Sequence, residues 1–206
     1  MARDADGVGL LALDAAKLEA HCGVATRAER VAILRTLAAL RGAAPRVAIE
    51  TTAGTMEFEL WDDVAPKTVA NFVKLAREGF YDGQCFHRII KGFVIQGGDP
   101  LANGTGGASM IGDTFDDEFD PSLSNLQYTV AMANSGPDTN NSQFFINLAD
   151  NTELDFDKSP LTSAHSVFAE VVEGQSVIDD IGAVEVGSTN LPLSAVRMES
   201  IIISRE

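Results

Sequence analysis

The spacing of apolar residues changes once along this chain, at Gly42-Ala43-Ala44-Pro45, and the change divides it into two parts of different class. Before the break Ala and Leu dominate, with Leu10, Leu11, Leu13 and Leu18 in one stretch. Val31, Ile33, Leu34, Leu37 and Leu40 form a second stretch at helical spacing. Thr26-Arg27-Ala28-Glu29 opens that stretch as a capping box, and Gly42 closes it where a left-handed residue is tolerated. A helical hairpin over residues 1–44 is therefore expected in front of a main domain, residues 45–206.

After Pro45 the period falls to two. Val47 and Ile49, then Met56, Phe58 and Leu60, alternate with polar or small residues around Thr52-Ala53-Gly54, which predicts a pair of antiparallel strands joined by a tight turn. Ala65, Val69, Phe72, Val73 and Ala76 mark one face of a helix, with Pro66 in its first turn and Gly79 at its end. Further strands are expected within 86–90, 93–96, 128–133, 143–147, 167–171 and 196–204, and a shorter helix within 176–181. Many short strands with Gly-rich connections do not make the regular strand and helix alternation of a parallel α/β sheet. The pattern predicts a mainly β fold, a closed antiparallel barrel. The one long irregular stretch, Gly97 to Asp120, is the place to look for function.

A net charge of −15 opposes attraction to phosphate backbones and anionic lipid, so neither nucleic acid nor membrane is an expected partner. No apolar run approaches membrane-spanning length. Cys22 and Cys85 lie in separate segments, which leaves no disulfide framework and no CxxC motif. The first residues lack the basic stretch and apolar run of a secretory signal. The expectation is a cytoplasmic protein.

The run from Phe86 to Asp99, Phe-His-Arg-Ile-Ile-Lys-Gly-Phe-Val-Ile-Gln-Gly-Gly-Asp, resembles the signature of the cyclophilins, a family of peptidyl-prolyl cis-trans isomerases. Gly104-Thr105-Gly106-Gly107 resembles their glycine-rich loop. Met132 to Pro137 with Ser142 to Ile146 resembles their second signature, and His165 to Val171 their closing segment, so the likeness covers roughly residues 46–206. It implies an eight-stranded closed antiparallel barrel capped by two helices, with the site on its outer face and the interior packed.

The resemblance also implies roles. Arg88 is the catalytic residue, a fixed donor aimed at the proline nitrogen when that atom regains its lone pair in the twisted transition state. Its planar fork stays charged at any physiological pH and serves two acceptors at once, which lysine does not. An isolated Arg in a strand is most often a surface charge paired with an acid; its place in the signature assigns it otherwise. Phe93, Val94, Phe145 and Leu154 form the socket for the proline ring. Gln96 and Gln143 align Arg88 and the substrate backbone. The backbone of Asn134 grips the residue before proline, Ala133 leaves room for that chain, and His165 packs at the rim. Phe144, on the opposite face of its strand, reads as core. No proton transfer is needed, so His165 packs and hydrogen-bonds and does no acid-base work. His21 and His87 read as structural, three scattered histidines do not make a metal site, and no cofactor is expected.

Other signals carry less. Asp113, Asp116, Asp117, Glu118 and Asp120 lack the spacing of a calcium loop and read as a solvated acidic run. The glycine-rich loop lacks the Lys and Ser/Thr of a phosphate-binding loop. No GxSxG motif accompanies Ser163 and His165. Glu153 stands where many family members carry a tryptophan, which puts affinity for cyclosporin-like ligands in question, and Val94 stands where methionine is common. Asp155 to Ala164 departs from the compact family pattern and is expected to shape the rim. Residues 1–44 carry six Lys/Arg and five Asp/Glu against nine and twenty-five in the remainder, so the hairpin is expected to dock on its own barrel; a partner or a second copy is the alternative. Proline-containing peptides and proteins are the expected substrates.

Overall fold

The computed structural model describes residues 44–159 and 164–205. The expected helical hairpin lies outside the described residues, as do His21, Cys22, Ser163 and part of the stretch from Asp155 to Ala164.

Strands β1 (Arg46–Thr51) and β2 (Gly54–Leu60) pair antiparallel, with Val47 opposite Phe58 and Ile49 opposite Met56. Period-two alternation puts these four side chains in the interior. Helix α1 (Pro66–Arg77) follows, burying Val69, Phe72, Leu75 and Ala76. Strands β3 (Arg88–Ile90), β4 (Val94–Gly97), β5 (Thr129–Met132), β6 (Phe144–Asn147) and β7 (Val167–Glu173) come next, then helix α2 (Gln175–Gly182) and strand β8 (Met198–Arg205). A single 3-10 turn spans Thr152–Leu154.

The eight strands form one antiparallel sheet in the order β3-β4-β6-β5-β7-β2-β1-β8. α1 packs over β8, and α2 over β2 and β4. The fold is mainly β as expected, but the expected closure of the barrel is not found: β3 and β8 remain edges, and the sheet is a half-barrel. The reason lies at β3, which has only three residues and whose Ile89 N–H donates to the Asn190 carbonyl at 2.8 Å. With that edge occupied, β8 meets the segment ahead of β3, through a bridge between Cys85 and Arg197 and a bond from the Phe86 N–H to the Val196 carbonyl at 3.0 Å.

Register decides what each face carries. Ile89, Ile95, Ile146, Val130 and Ala169 lie side by side across β3, β4, β6, β5 and β7, and all five are buried in the main core. One residue along, on the other face, runs a second row: Arg88, Gln96, Phe145, Ala131 and Val167. Phe144 belongs to the inner face, where its ring meets Phe72 at 5.5 Å, Tyr81 at 5.9 Å and Phe58 at 6.4 Å, each edge to face.

The acidic run has more structure than a solvated loop. Ala65 and Pro66 provide no side-chain cap for α1. Glu118 supplies one from fifty residues away, accepting from the Thr68 N–H at 2.8 Å and the Lys67 N–H at 3.1 Å. Asp116 pairs with Lys67 at 3.0 Å, and Asp117 and Asp138 exchange backbone to carboxylate bonds at 2.9 Å. The acids pin the loop to the helix and to the 134–142 segment.

Candidate active site

The outer row sets an arginine beside a greasy recess. Neighbouring strands lie about 4.8 Å apart, so Arg88 and Phe145, two strands distant, have backbones about 10 Å apart with Gln96 between them. Phe145, Val94, Ala131, Val167 and Trp61 form an apolar cluster separate from the main core, and Phe93, Leu123, Ala133 and Leu154 pack against it half-buried. Each of the four expected socket residues, Phe93, Val94, Phe145 and Leu154, is in this one cluster.

Phe93 sits at the β3–β4 turn, where its carbonyl accepts from the Leu148 N–H and the Asn151 amide, each at 2.8 Å. Asn151 Nδ2 in turn donates to Asn147 Oδ1 at 2.8 Å, and the Asn147 side-chain amide donates to Asn125 Oδ1 and Thr129 Oγ1. Buried Asp155 closes this network, accepting from the Asn125 backbone at 2.8 Å and the Ser124 hydroxyl. A fully bonded polar layer thus underlies the turn that presents Phe93 and Leu154.

Arg88 is half-buried, and its Nη1 donates to Gln96 Oε1 at 3.1 Å. Among the described residues no carboxylate forms an ion pair with it. Gln96 Nε2 donates to Gln143 Oε1 at 2.9 Å, and Gln143 Nε2 donates to the carbonyls of Gly104 at 3.2 Å and Gly106 at 2.6 Å. Arg88, Gln96 and Gln143 are one chain of hydrogen bonds along the edge of the recess.

The far wall comes from β5 and its continuation. The Ala133 N–H donates to the Gln143 carbonyl at 3.0 Å, which extends the β5–β6 pairing and leaves Ala133 half-buried against the cluster. Asn134 is half-buried and donates its side-chain amide to the Ala164 carbonyl at 2.9 Å. His165 crosses Phe145 edge-on at 5.2 Å, with Nδ1 2.9 Å from the Met132 carbonyl. A carbonyl only accepts, so Nδ1 carries the hydrogen and Nε2 of the neutral ring is the acceptor. Burial holds the His165 pKa below the ordinary histidine range, against an upward pull from the Met132 carbonyl and from Asp117, so the ring is neutral at neutral pH. His87 is buried with neither ring nitrogen hydrogen-bonded to a described residue, and burial lowers its pKa too, Asp99 opposing and Arg88 reinforcing the shift.

Sequence reasoning missed three contributors. Trp61, 5% exposed, floors the recess; it follows Leu60 on an alternating strand, so its outward direction was legible. The carbonyls of Gly104 and Gly106 hold Gln143, and main-chain acceptors leave no side-chain signal. Glu153 is exposed on the 3-10 turn beside Leu154. Among the described residues no cluster of His, Cys, Asp or Glu is placed to hold a metal ion.

A half-barrel with a pre-oriented cation beside an outward-facing apolar recess defines a protein that takes a short chain segment on its surface. Residues 46–203 match the family described as cyclophilin type peptidyl-prolyl cis-trans isomerase/CLD. The chain is 42% identical over 177 residues to a putative peptidyl-prolyl cis-trans isomerase of Staphylococcus haemolyticus, covering 76% of this chain and 89% of the relative. It is 45% identical over 158 residues to peptidyl-prolyl cis-trans isomerase-like 1 of Mus musculus, covering 75% and 89%. A peptidyl-prolyl cis-trans isomerase of Rhizopus delemar is 44% identical over 181 residues, 87% of this chain but only 26% of that much longer protein. The crystal structure of a cyclophilin type isomerase of Cryptosporidium parvum superposes with a TM-score of 0.72 at 32% identity, covering 79% of this chain and 98% of the other; that protein was also crystallised in the presence of the dipeptide Ala-Pro. This chain belongs to the cyclophilin-type peptidyl-prolyl cis-trans isomerase family.

Proposed function

We propose that the protein acts in the cytoplasm, catalysing rotation about X-Pro peptide bonds in proteins and assisting their folding or conformational switching, and that Arg88 is its catalytic residue. The observation that carries this reading is the outer row itself, a guanidinium free of any described acid, aligned through Gln96 with an apolar recess walled by Phe145.

The uncatalysed barrier of about 18 to 20 kcal/mol is the loss of amide resonance. In the half-rotated bond the nitrogen is pyramidal and basic. One Arg88 N–H is engaged by Gln96, and the rest of the fork is available to that nitrogen and an adjacent carbonyl. Such a contact favours the twisted form over either planar form, which is where rate enhancement originates. Phe93, Val94, Phe145 and Leu154 hold the proline ring while the residue before it swings past Ala133 and Asn134. Gln96 and Gln143 keep the donor aimed, and neutral His165 closes the rim without exchanging a proton. The presence of Ala-Pro with the Cryptosporidium relative supports a proline dipeptide as the minimal occupant.

The test is turnover of an Ala-Pro peptide, by protease-coupled assay or NMR exchange, in wild type and Arg88→Ala. Loss of one preorganised donor typically lowers the rate by about 10² to 10³, and that drop is expected here. Peptide binding with no turnover in the wild type would instead mark a non-catalytic proline-binding module.

A further inference from the structure

We propose that Asp99 is a positioning residue for Arg88, acting through the glycine-rich loop and two glutamine side chains; this rests on the isomerase reading above. Asp99 is 1% exposed. Its Oδ1 accepts from the Leu101 N–H at 2.8 Å, and its Oδ2 from the N–H groups of Asn103 at 3.0 Å and Gly104 at 2.6 Å. The Gly106 backbone lies against the same carboxylate. Three main-chain donors converge on one side chain, and residues 99–106 curl around it. Burial alone raises the carboxyl pKa, but the backbone donors around it outweigh that and hold the value below the ordinary range, so the group stays ionised.

The curl has a consequence at the other end. It turns the carbonyls of Gly104 and Gly106 toward Gln143, and carbonyls only accept, so the Gln143 amide must point its NH2 at them. Its oxygen then faces Gln96, which must answer with its own NH2. That leaves Gln96 Oε1, and not a second donor, against the Arg88 guanidinium. Each amide has two orientations, and the loop carbonyls select one for both. Without them Gln96 is free to flip, and a flipped Gln96 puts NH2 against a guanidinium that has only donors.

Gly106 is part of the device. A Cβ there would fall onto Asp99 Oδ1, so only glycine lets the loop close this tightly on the carboxylate. An asparagine at position 99 has one acceptor oxygen and two donors, and would set NH2 against main-chain N–H groups.

Asp99→Asn is therefore expected to lower kcat for an Ala-Pro peptide by about tenfold, a fraction of the 10² to 10³ for losing the donor outright, with KM within about twofold. A role confined to stability would lower activity by the same factor whatever stands at position 88. The deciding comparison is the pair in an Arg88→Ala background, where Asp99→Asn should change the residual rate less than about twofold, because effects that act through one group do not add. The side-chain NH2 resonances of Gln96 and Gln143 should also shift. Gly106→Ala, which crowds the same oxygen, serves as the second variant where Asp99→Asn folds poorly. Equal losses in both backgrounds, or a normal kcat in Asp99→Asn beside an impaired Arg88→Ala, overturn the inference alone. A normal rate in Arg88→Ala overturns the assignment of Arg88 as the catalytic residue and the inference with it, whereas no turnover in the wild type overturns the isomerase reading itself.

Discussion

Replacing Gln96 by glutamate changes charge and donor content at the centre of the site with almost no change of shape. In the wild type its Oε1 lies 3.1 Å from Arg88 Nη1 and its Nε2 lies 2.9 Å from Gln143 Oε1. The variant keeps the first contact, now as an ion pair, and turns the second into a carboxylate facing an amide oxygen. Two unit charges about 4 Å apart attract by about 1 kcal/mol in water and about 4 kcal/mol at an effective dielectric of 20, and half-buried Gln96 lies between those limits. That attraction draws the guanidinium toward position 96 and offsets the positive field at the proline nitrogen. If about half of it acts on the transition state, the barrier rises by roughly 0.5 to 2 kcal/mol, about a 2- to 30-fold loss in kcat/KM. The loss should remain below that of Arg88→Ala, since the donor is weakened and not removed. Turnover of an Ala-Pro peptide near pH 7.5 measures it, with circular dichroism to show that the fold is intact. A folded Gln96→Glu with kcat/KM equal to or above that of wild type would refute electrostatic catalysis by Arg88.

Other outcomes follow from the same geometry. Phe145→Ala opens the recess between Arg88 and His165; because water can enter from the outer side, its stability cost should fall at or below the about 3 to 5 kcal/mol of a sealed core, while KM for proline peptides rises at least tenfold, and an unchanged KM would remove Phe145 from the socket. Glu118→Ala strips the distant cap from α1 and should cost about 1 kcal/mol, or a Tm shift of about 2 to 4 °C, leaving kcat/KM as it was; a calorimetric scan superimposable on wild type sinks the capping argument. His165 and His87 have folded pKa values below their unfolded ones, so the unfolded chain binds more protons. The stability they contribute as neutral rings is present above about pH 6.5 and declines as pH falls through their lower folded values. Urea denaturation across that window should show a slope that flattens in His165→Gln, and an unchanged slope in both His165→Gln and His87→Gln contradicts the assignment.

Much of the site was readable because strand alternation is local. Phe144 and Phe145 are adjacent, and a period of two sends one to the aromatic core and the other to the recess, whatever the rest of the chain does. The same rule, carried one residue past Leu60, points Trp61 outward, yet a lone apolar residue beyond a strand has no partner in sequence to show which recess it joins. The run of acids read as solvated because its partners, the Thr68 and Lys67 amides, lie about fifty positions upstream and carry no sequence mark as an uncapped helix start. The closed barrel failed for a similar reason: strand patterning counts strands but is silent on which carbonyl reaches an edge first, and here Asn190 reached Ile89.

Residue type and spacing alone determined that this chain makes short amphipathic strands with two helices, which face each strand residue takes, and the family whose motifs it carries. Tertiary structure alone decided the strand order, the open edge, and the row that brings Arg88 to Gln96 and Gln96 to Phe145, the last pair forty-nine positions apart. The physical reason is range. Dihedral preference and alternation act over a few residues, whereas register between distant strands, and the carbonyls that orient Gln143, are settled only when the whole sheet buries its inner row at once.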